Sequence, residues 1–221
     1  RGMSLKPYPK YKDSGIEWLG EVPEHWEITK VGYCCTFFTG WTPPTGDEKS
    51  YDGDIPWANI SDLGPKVLTE TSKQISNFGV SQNNIPMAPV GSLLFSFKLS
   101  VGLVSICGRP MYTNEAIAIF APNDTVDISW AYYTFPFFIT RNASENIYGA
   151  KMLNQHLINA ARLLLPSLPE QRAIAAFLDA ETARIDSLIA DAEKAIDLLR
   201  ESRTALISDA VTGKMDVRDW Q

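Results

Sequence analysis

Few residues in this chain are spaced for catalysis. The two histidines, His25 and His156, stand alone, with no Cys or second His at metal-ligand spacing; zinc needs that convergence. Both read as structural or surface residues. Asp47-Glu48-Lys49 carries an Asp-x-Lys pattern used by some metal-dependent nucleases. Such a site needs further carboxylates on a rigid strand, to hold a hard cation through oxygen. Here the tripeptide falls in GWTPPTGDEKSYDG (40–53), whose Pro and Gly mark an exposed loop. Cys34 and Cys35 are adjacent and Cys107 is distant, which makes no disulfide framework. Nothing near the pair in sequence favours a thiolate, so buried, unreactive thiols are expected. The sequence has no Walker A loop, no G-x-G-x-x-G and no G-x-S-x-G elbow.

The remaining chemistry is that of binding. Asn59, Asn114, Asn154 and Gln155 can pair bidentately with adenine edges. Lys98 and Lys151 suit guanine acceptors or phosphates, and Ser61, Ser100 and Thr113 suit either. Trp41, Tyr51, Trp57, Tyr112 and Tyr148 add aromatic surface. Each is an ordinary loop residue when taken singly.

Those residues need a scaffold. At 221 residues, 45% hydrophobic and 11% aromatic, the chain can bury one sizeable core and carry an appendage. Residues 5–26 read as an extended arm that packs Trp18, Leu19 and Trp26 onto the domain. Residues 27–39 are apolar and ambiguous between helix and strand. IPWANISDL (55–63) reads as a strand running into a loop. Leu93–Lys98 and Val101–Cys107 read as a hairpin, and Ala116–Ala121 as a further strand. Asp127 or Ser129 can cap a helix through about Asn142, Asn154 can cap one through Ala160, and Arg162–Leu165 should be a strand. The expected class is a mixed α+β globule over 1–166, followed by a long-helix region over 167–221.

That helix has seven-residue periodicity. Leu178, Ile185, Ala192, Leu199 and Leu206 recur every seven residues, Ile174, Leu188 and Ala195 interleave, and Ile189 and Ile196 widen the stripe. Sustained heptads predict a coiled coil with a partner helix. Glu181 and Ser202 interrupt the seam, and polar seam positions fix register at a cost in stability. Pro169 suits the start and Gly213 the stop.

The formal net charge of −6 counts against a nucleic-acid binder. Its distribution matters more. Residues 1–166 carry 13 Lys and Arg against 15 Asp and Glu, while residues 167–221 carry seven against 11. No stretch approaches 18 uninterrupted apolar residues, and the N-terminus has no apolar signal core. With no disulfide framework, a cytoplasmic setting is expected.

Several motifs together carry a resemblance. YPKYKDSGIEWLGEVPEHWEI (8–28), GWTPP (40–44), DIPWANISDL (54–63) and GSLLFSFKLSVGLVSI (91–106) resemble a target recognition domain. GAKMLNQHLINAARLLLPSLPEQRAIAAFLD (149–179) and AVTGKMDVR (210–218) resemble the helical region that follows it. The family is that of specificity subunits of type I restriction–modification systems, and the likeness runs from about Tyr8 to Trp220.

The resemblance implies a globule similar to the DNA-recognition domain of adenine methyltransferases, in a subunit that is not itself an enzyme. It implies recognition of an interrupted double-stranded DNA sequence and docking of modification (methyltransferase) subunits, with restriction subunits joining the full complex. No cofactor is expected in this chain; S-adenosylmethionine, Mg and ATP would belong to partner subunits. Within this reading Trp41, Lys98, Ser100, Asn114, Tyr148 and Lys151 are expected near DNA. Ile174, Leu178, Ile185, Leu188, Ala192, Leu199 and Leu206 are expected in a dimer interface. The usual subunit has two recognition domains and two helical regions, whereas this chain has one of each. A half-subunit, a truncated product and a piece of a longer gene all remain open. An antiparallel homodimer would restore the full arrangement on a palindromic interrupted target. The alternative is a non-DNA-reading assembly module that dimerises and binds modification subunits.

Overall fold

The computed structural model describes residues 6–44, 46–82, 86–145 and 151–219. It divides into two compact units, one ending at Ala175 and one beginning at Ala176. The first is built on a central five-stranded sheet ordered Phe37–Thr39, Ile117–Phe120, Leu93–Ser96, Val104–Cys107, Val67–Leu68. Leu93–Ser96 and Ile117–Phe120 are buried along their whole length, because both faces of the sheet are covered. On one face Leu93, Phe95, Ala118 and Phe120 pack against Trp130, Ala131, Phe135, Phe138 and Ile139 of the helix Ile128–Ile139. On the other, Leu94, Ile117 and Ile119 meet Ala58, Leu68, Ala88 and Met111. Side chains alternate across a strand, so a doubly covered strand reads as a continuous apolar run.

Ala58 belongs to a smaller sheet, Tyr112–Thr113, Ile55–Ala58, Lys73–Ile75, with its first pair parallel and its second antiparallel. The strand Arg162–Leu165 pairs antiparallel with Glu27–Lys30, which settles the ambiguity over 27–39: strand, one helical turn (Val31–Cys34), strand. The expected hairpin forms, with Phe95 opposite Val104. Asp127 caps Ile128–Ile139 by accepting from Ser129 N and Trp130 N, and Asn154 caps Gln155–Ala160 by accepting from Leu157 N.

The arm is ordered. Tyr11–Asp13 pairs with Glu21–Pro23, and Leu19 and Trp26 pack on the main core. Trp18 sits edge-on to Phe137 with the Arg141 guanidinium 4.2 Å above it. The expectation of an exposed loop over 40–53 needs correction. Glu48–Tyr51 is a helical turn, and Ser50 is fully buried. Ser50 Oγ donates to Asp47 Oδ2 at 2.6 Å and Ser76 N donates to Ser50 O, so this polar segment satisfies itself inside the fold.

The second unit continues the helix Leu168–Val211. Its 44 residues give a length of about 66 Å at 1.5 Å per residue. Gly213 ends it at φ 71°, a left-handed conformation that costs glycine little. No helix among the described residues is long and apolar enough to cross a membrane.

Candidate nucleic-acid interface

Strand register gathers four of the expected contact residues. In the central sheet Thr39 lies opposite Ala118 and Ser96 opposite Ile117. The chain leaves the sheet towards Trp41 and towards Lys98, and enters it from Asn114, all at one end. Ser100 lies in the same hairpin turn as Lys98.

Each is held by backbone bonding. Trp41 N donates to Thr113 O at 2.8 Å, and Trp41 O accepts from Trp57 Nε1 at 2.9 Å. Gly40 makes this approach possible, since a Cβ there would lie 1.9 Å from Thr113 O. Trp57 is 4% exposed and stands edge-on to Tyr51, so it supports the loop rather than reading a ligand. Asn114 N donates to Ala58 O at 2.9 Å, and its Oδ1 accepts from Ala116 N at 3.1 Å. This bond fixes the orientation of the Asn114 amide. Asn59 and Asp62 form a reciprocal capping box on the turn Ile60–Asp62, which explains both as fold support.

The hairpin turn is rigid and presented to solvent. Ser96 Oγ donates to Ser100 O and accepts from Leu103 N. Leu99 adopts φ 60°, rare for a branched residue, and is 89% exposed. Lys98 is exposed, its Nζ 5.5 Å from the Phe97 ring centroid. Nearby Glu115 accepts from Thr42 Oγ1. A carboxylate here would accept from cytosine N4 and disfavour phosphate. Tyr148 lies outside the described residues. Lys151 is placed only as backbone, paired with Glu145 in the short ladder Ser144–Glu145/Lys151–Met152.

A second constellation, missed in sequence, lies at the start of the long helix. Gln171 is fully buried. Its Nε2 donates to Pro166 O at 2.9 Å and Thr125 O at 3.1 Å, and its Oε1 accepts from Asp127 N at 2.8 Å. Glu170 accepts from Trp26 Nε1 at 2.9 Å and lies 3.1 Å from His25 Nε2. Burial opposes ionisation of Glu170, but hydrogen bonds from Trp26, Tyr8 and His25 outweigh it and hold the carboxyl below its ordinary value. Burial and then Glu170 push the Tyr8 phenol up to about 12. The arm is thus fastened to the first helical turn.

The family described as "Type I restriction modification DNA specificity domain" matches residues 23–196, a span that holds Trp41, Lys98, Asn114, Glu170 and Gln171. The chain belongs to this family. Among the relatives of this specificity domain, the type I restriction enzyme MjaIX specificity subunit of Methanocaldococcus jannaschii is 26% identical over 192 residues. The alignment covers 83% of this chain and 43% of that one. The HindI specificity subunit of Haemophilus influenzae is 30% identical over 112 residues, covering 50% and 24%. Two solved structures share the fold. One, from work on complex assembly and conformational transition of the type I R-M system, gives TM-score 0.68 at 20% identity, covering 86% of this chain and 46% of that one. The HsdS subunit from Thermoanaerobacter tengcongensis gives 0.60 at 20%, covering 80% and 41%. The chain spans under half the length of each of these proteins.

The specificity domain's helix presents most of its expected seam residues to solvent. Leu178 is half-buried, while Ile185, Leu188, Ala192, Leu199 and Leu206 are exposed. Ile174 instead packs against the main core, which occupies its side chain.

The Glu170 cluster carries a pH prediction. A carboxyl held below its ordinary value stabilises the fold above its unfolded pKa, and that contribution is lost as pH falls through the lower folded value. Glu170→Gln is expected to be less stable than wild type at neutral pH. The gap between their urea midpoints should narrow as pH falls from about 7 to about 3. A gap that stays constant with pH would mean the ionised carboxylate is not what holds the arm.

Proposed function

We propose that this chain is a sequence-reading subunit of a type I restriction–modification complex, non-catalytic itself, reading part of an interrupted double-stranded DNA target. The observation that carries this reading is the specificity-domain match over residues 23–196, which spans the end where Trp41, Lys98, Ser100 and Asn114 converge. Lys98 and Ser100 stand on a turn whose backbone Ser96 already fixes, which lowers the cost of ordering them. Modification subunits would dock on the chain and restriction subunits would join them. S-adenosylmethionine, Mg and ATP would be held by those partners, and the whole would act in the cytoplasm. The exposed heptad stripe supports pairing with the helix of a second copy.

A net charge of −6 is tolerable if the modification subunits supply most phosphate contacts, because phosphate contacts position a complex while base contacts specify it. The same charge favours the second reading, an assembly module that dimerises and binds modification subunits without reading DNA.

The test is binding of purified chain, alone and with its modification subunit, to one target against random DNA across a salt series. The target comes from methylation-site mapping. Preference for one interrupted sequence is expected; equal binding to all sequences would leave only the assembly module. Lys98→Ala is expected to weaken specific binding by roughly tenfold and to lower the salt slope by about one, as for one lost phosphate contact. An unchanged slope with relaxed specificity would move Lys98 to a base edge.

A further inference from the structure

The opposite end of the central sheet carries an unassigned surface. Phe37 lies opposite Phe120 there, whereas the Trp41 loop leaves from Thr39 at the other end. Just before Phe37, the turn Val31–Cys34 holds out Tyr33, which is 80% exposed. Tyr33 rims three adjoining hollows of about 470, 360 and 230 Å³. Lys30 and His156 line the largest, and Lys30 and Arg162 the next.

The platform is rigid. Val31 is fully buried, its N donates to Ala161 O at 3.0 Å, and Cys35 N closes the turn on Val31 O at 2.8 Å. Gly32 lies so close to the helix Gln155–Ala160 that an added Cβ would stand 3.0 Å from Asn159. Lys30 Nζ lies 5.9 Å from the Tyr33 ring centroid. An exposed tyrosine on a fixed backbone turn among concavities is the form of an interface anchor, since Tyr and Arg dominate hot spots.

The charge of the patch selects the partner. Glu27 is the one acid lining these hollows among the described residues, against Lys30 and Arg162. The patch is thus locally basic on a chain of net charge −6. The patch lies at the end of the sheet opposite the one from which the chain runs to Trp41 and Lys98.

We propose that the Tyr33 face, with Lys30 and Arg162 beside it, is a docking surface for a carboxylate-bearing patch on the modification subunit. This rests on the reading that the chain docks such subunits. Tyr33 would enter a groove of the partner, and the two cations would face its acids.

The test titrates the full chain against the purified modification subunit of its own system by calorimetry and sedimentation. Tyr33→Ala and the pair Lys30→Glu/Arg162→Glu are each expected to raise Kd at least about tenfold, a hot-spot loss. Their thermal midpoint and preference for target DNA should be unchanged. Arg162 Nη1 also donates to Gly15 O at 2.6 Å, so Lys30→Glu alone provides a second charge variant if the pair unfolds. Wild-type affinity in Tyr33→Ala and Lys30→Glu would overturn the surface while leaving docking intact. Weaker DNA binding with unchanged subunit binding would overturn it in favour of a nucleic-acid contact. Failure of the wild-type chain to bind the modification subunit would sink the docking reading, and this surface with it.

Discussion

Gln171→Ala is expected to lower the stability of the chain by about 3 kcal/mol, seen as a fall of roughly 1.5 M in the urea midpoint. The side chain is fully buried, and among the described residues its three hydrogen bonds are all to backbone groups. Truncation strands Asp127 N, Thr125 O and Pro166 O where little solvent reaches. Each stranded buried group costs about 1–3 kcal/mol, and partial access of water to the vacated space brings the sum to the lower end. The bonds also tie three elements together: the end of the Arg162–Leu165 strand segment at Pro166, the cap of Ile128–Ile139 at Asp127, and the long helix itself. Gln171→Glu should cost at least as much, because a carboxylate would face two carbonyl oxygens that now accept from an amide. Arg172 is the internal control. Its Nε lies 3.3 Å from Asp127 Oδ2, but its side chain is 67% exposed, so Arg172→Ala should stay within about 0.5 kcal/mol of wild type. Tryptophan fluorescence would follow the transition. A Gln171→Ala midpoint equal to that of Arg172→Ala would mean the buried bonds contribute little.

The role of Gln171 was legible in principle. Positions 171, 174, 175 and 178 form an i, i+3, i+4, i+7 set, and the structure buries Gln171 and Ala175 while half-burying Ile174 and Leu178. A Gln on that stripe is inside the fold and must be hydrogen-bonded there. Its neighbours Glu170 and Arg172 also bond within the chain. Where local signals were strong, expectation and structure agree closely. Arg162–Leu165 is a strand with the stated bounds, and Asp127 and Asn154 cap the helices that follow them. The shortest strands were the poorly legible part. Val67–Leu68 at the edge of the central sheet, and Lys73–Ile75 and Tyr112–Thr113 in the small one, are two or three residues long, too short for alternation to declare itself. Tertiary pairing places them. The same holds for Ser50, whose burial depends on Asp47 and on Ser76, 26 residues away in sequence. Residue chemistry chose Trp41, Lys98, Ser100 and Asn114, but only strand register puts them at one end of the central sheet.

Purified chain is expected to sediment at twice its 24.6 kDa mass, and Ile185→Lys/Leu199→Lys to sediment as a monomer. Within the second unit Ile185 is 47% exposed, Leu188 55%, Leu199 69% and Leu206 54%. Such a continuous stripe is normally covered, and a heptad stripe fits another helix. Charge favours antiparallel pairing with a second copy. Residues 176–193 carry one Arg against five Asp and Glu, and residues 194–207 carry three Lys and Arg against two. Antiparallel helices set each acidic half against a more basic one, whereas parallel helices would align acid with acid. The size of the effect follows from symmetry. In an isologous dimer the two substitutions appear four times. A buried unpaired charge costs about 3–5 kcal/mol; lysine can extend its ammonium to water and reduce that to roughly 2–3. Four lysines then oppose association by about 8–12 kcal/mol, which matches the free energy of a dimer with Kd between about 1 µM and about 1 nM. Arg200→Ala, off the seam and paired with Asp197 at 3.0 Å, should leave the dimer intact. A double-lysine variant that still sediments as a dimer would place the interface elsewhere. A wild-type monomer at micromolar concentration would require the covering helix to come from another chain.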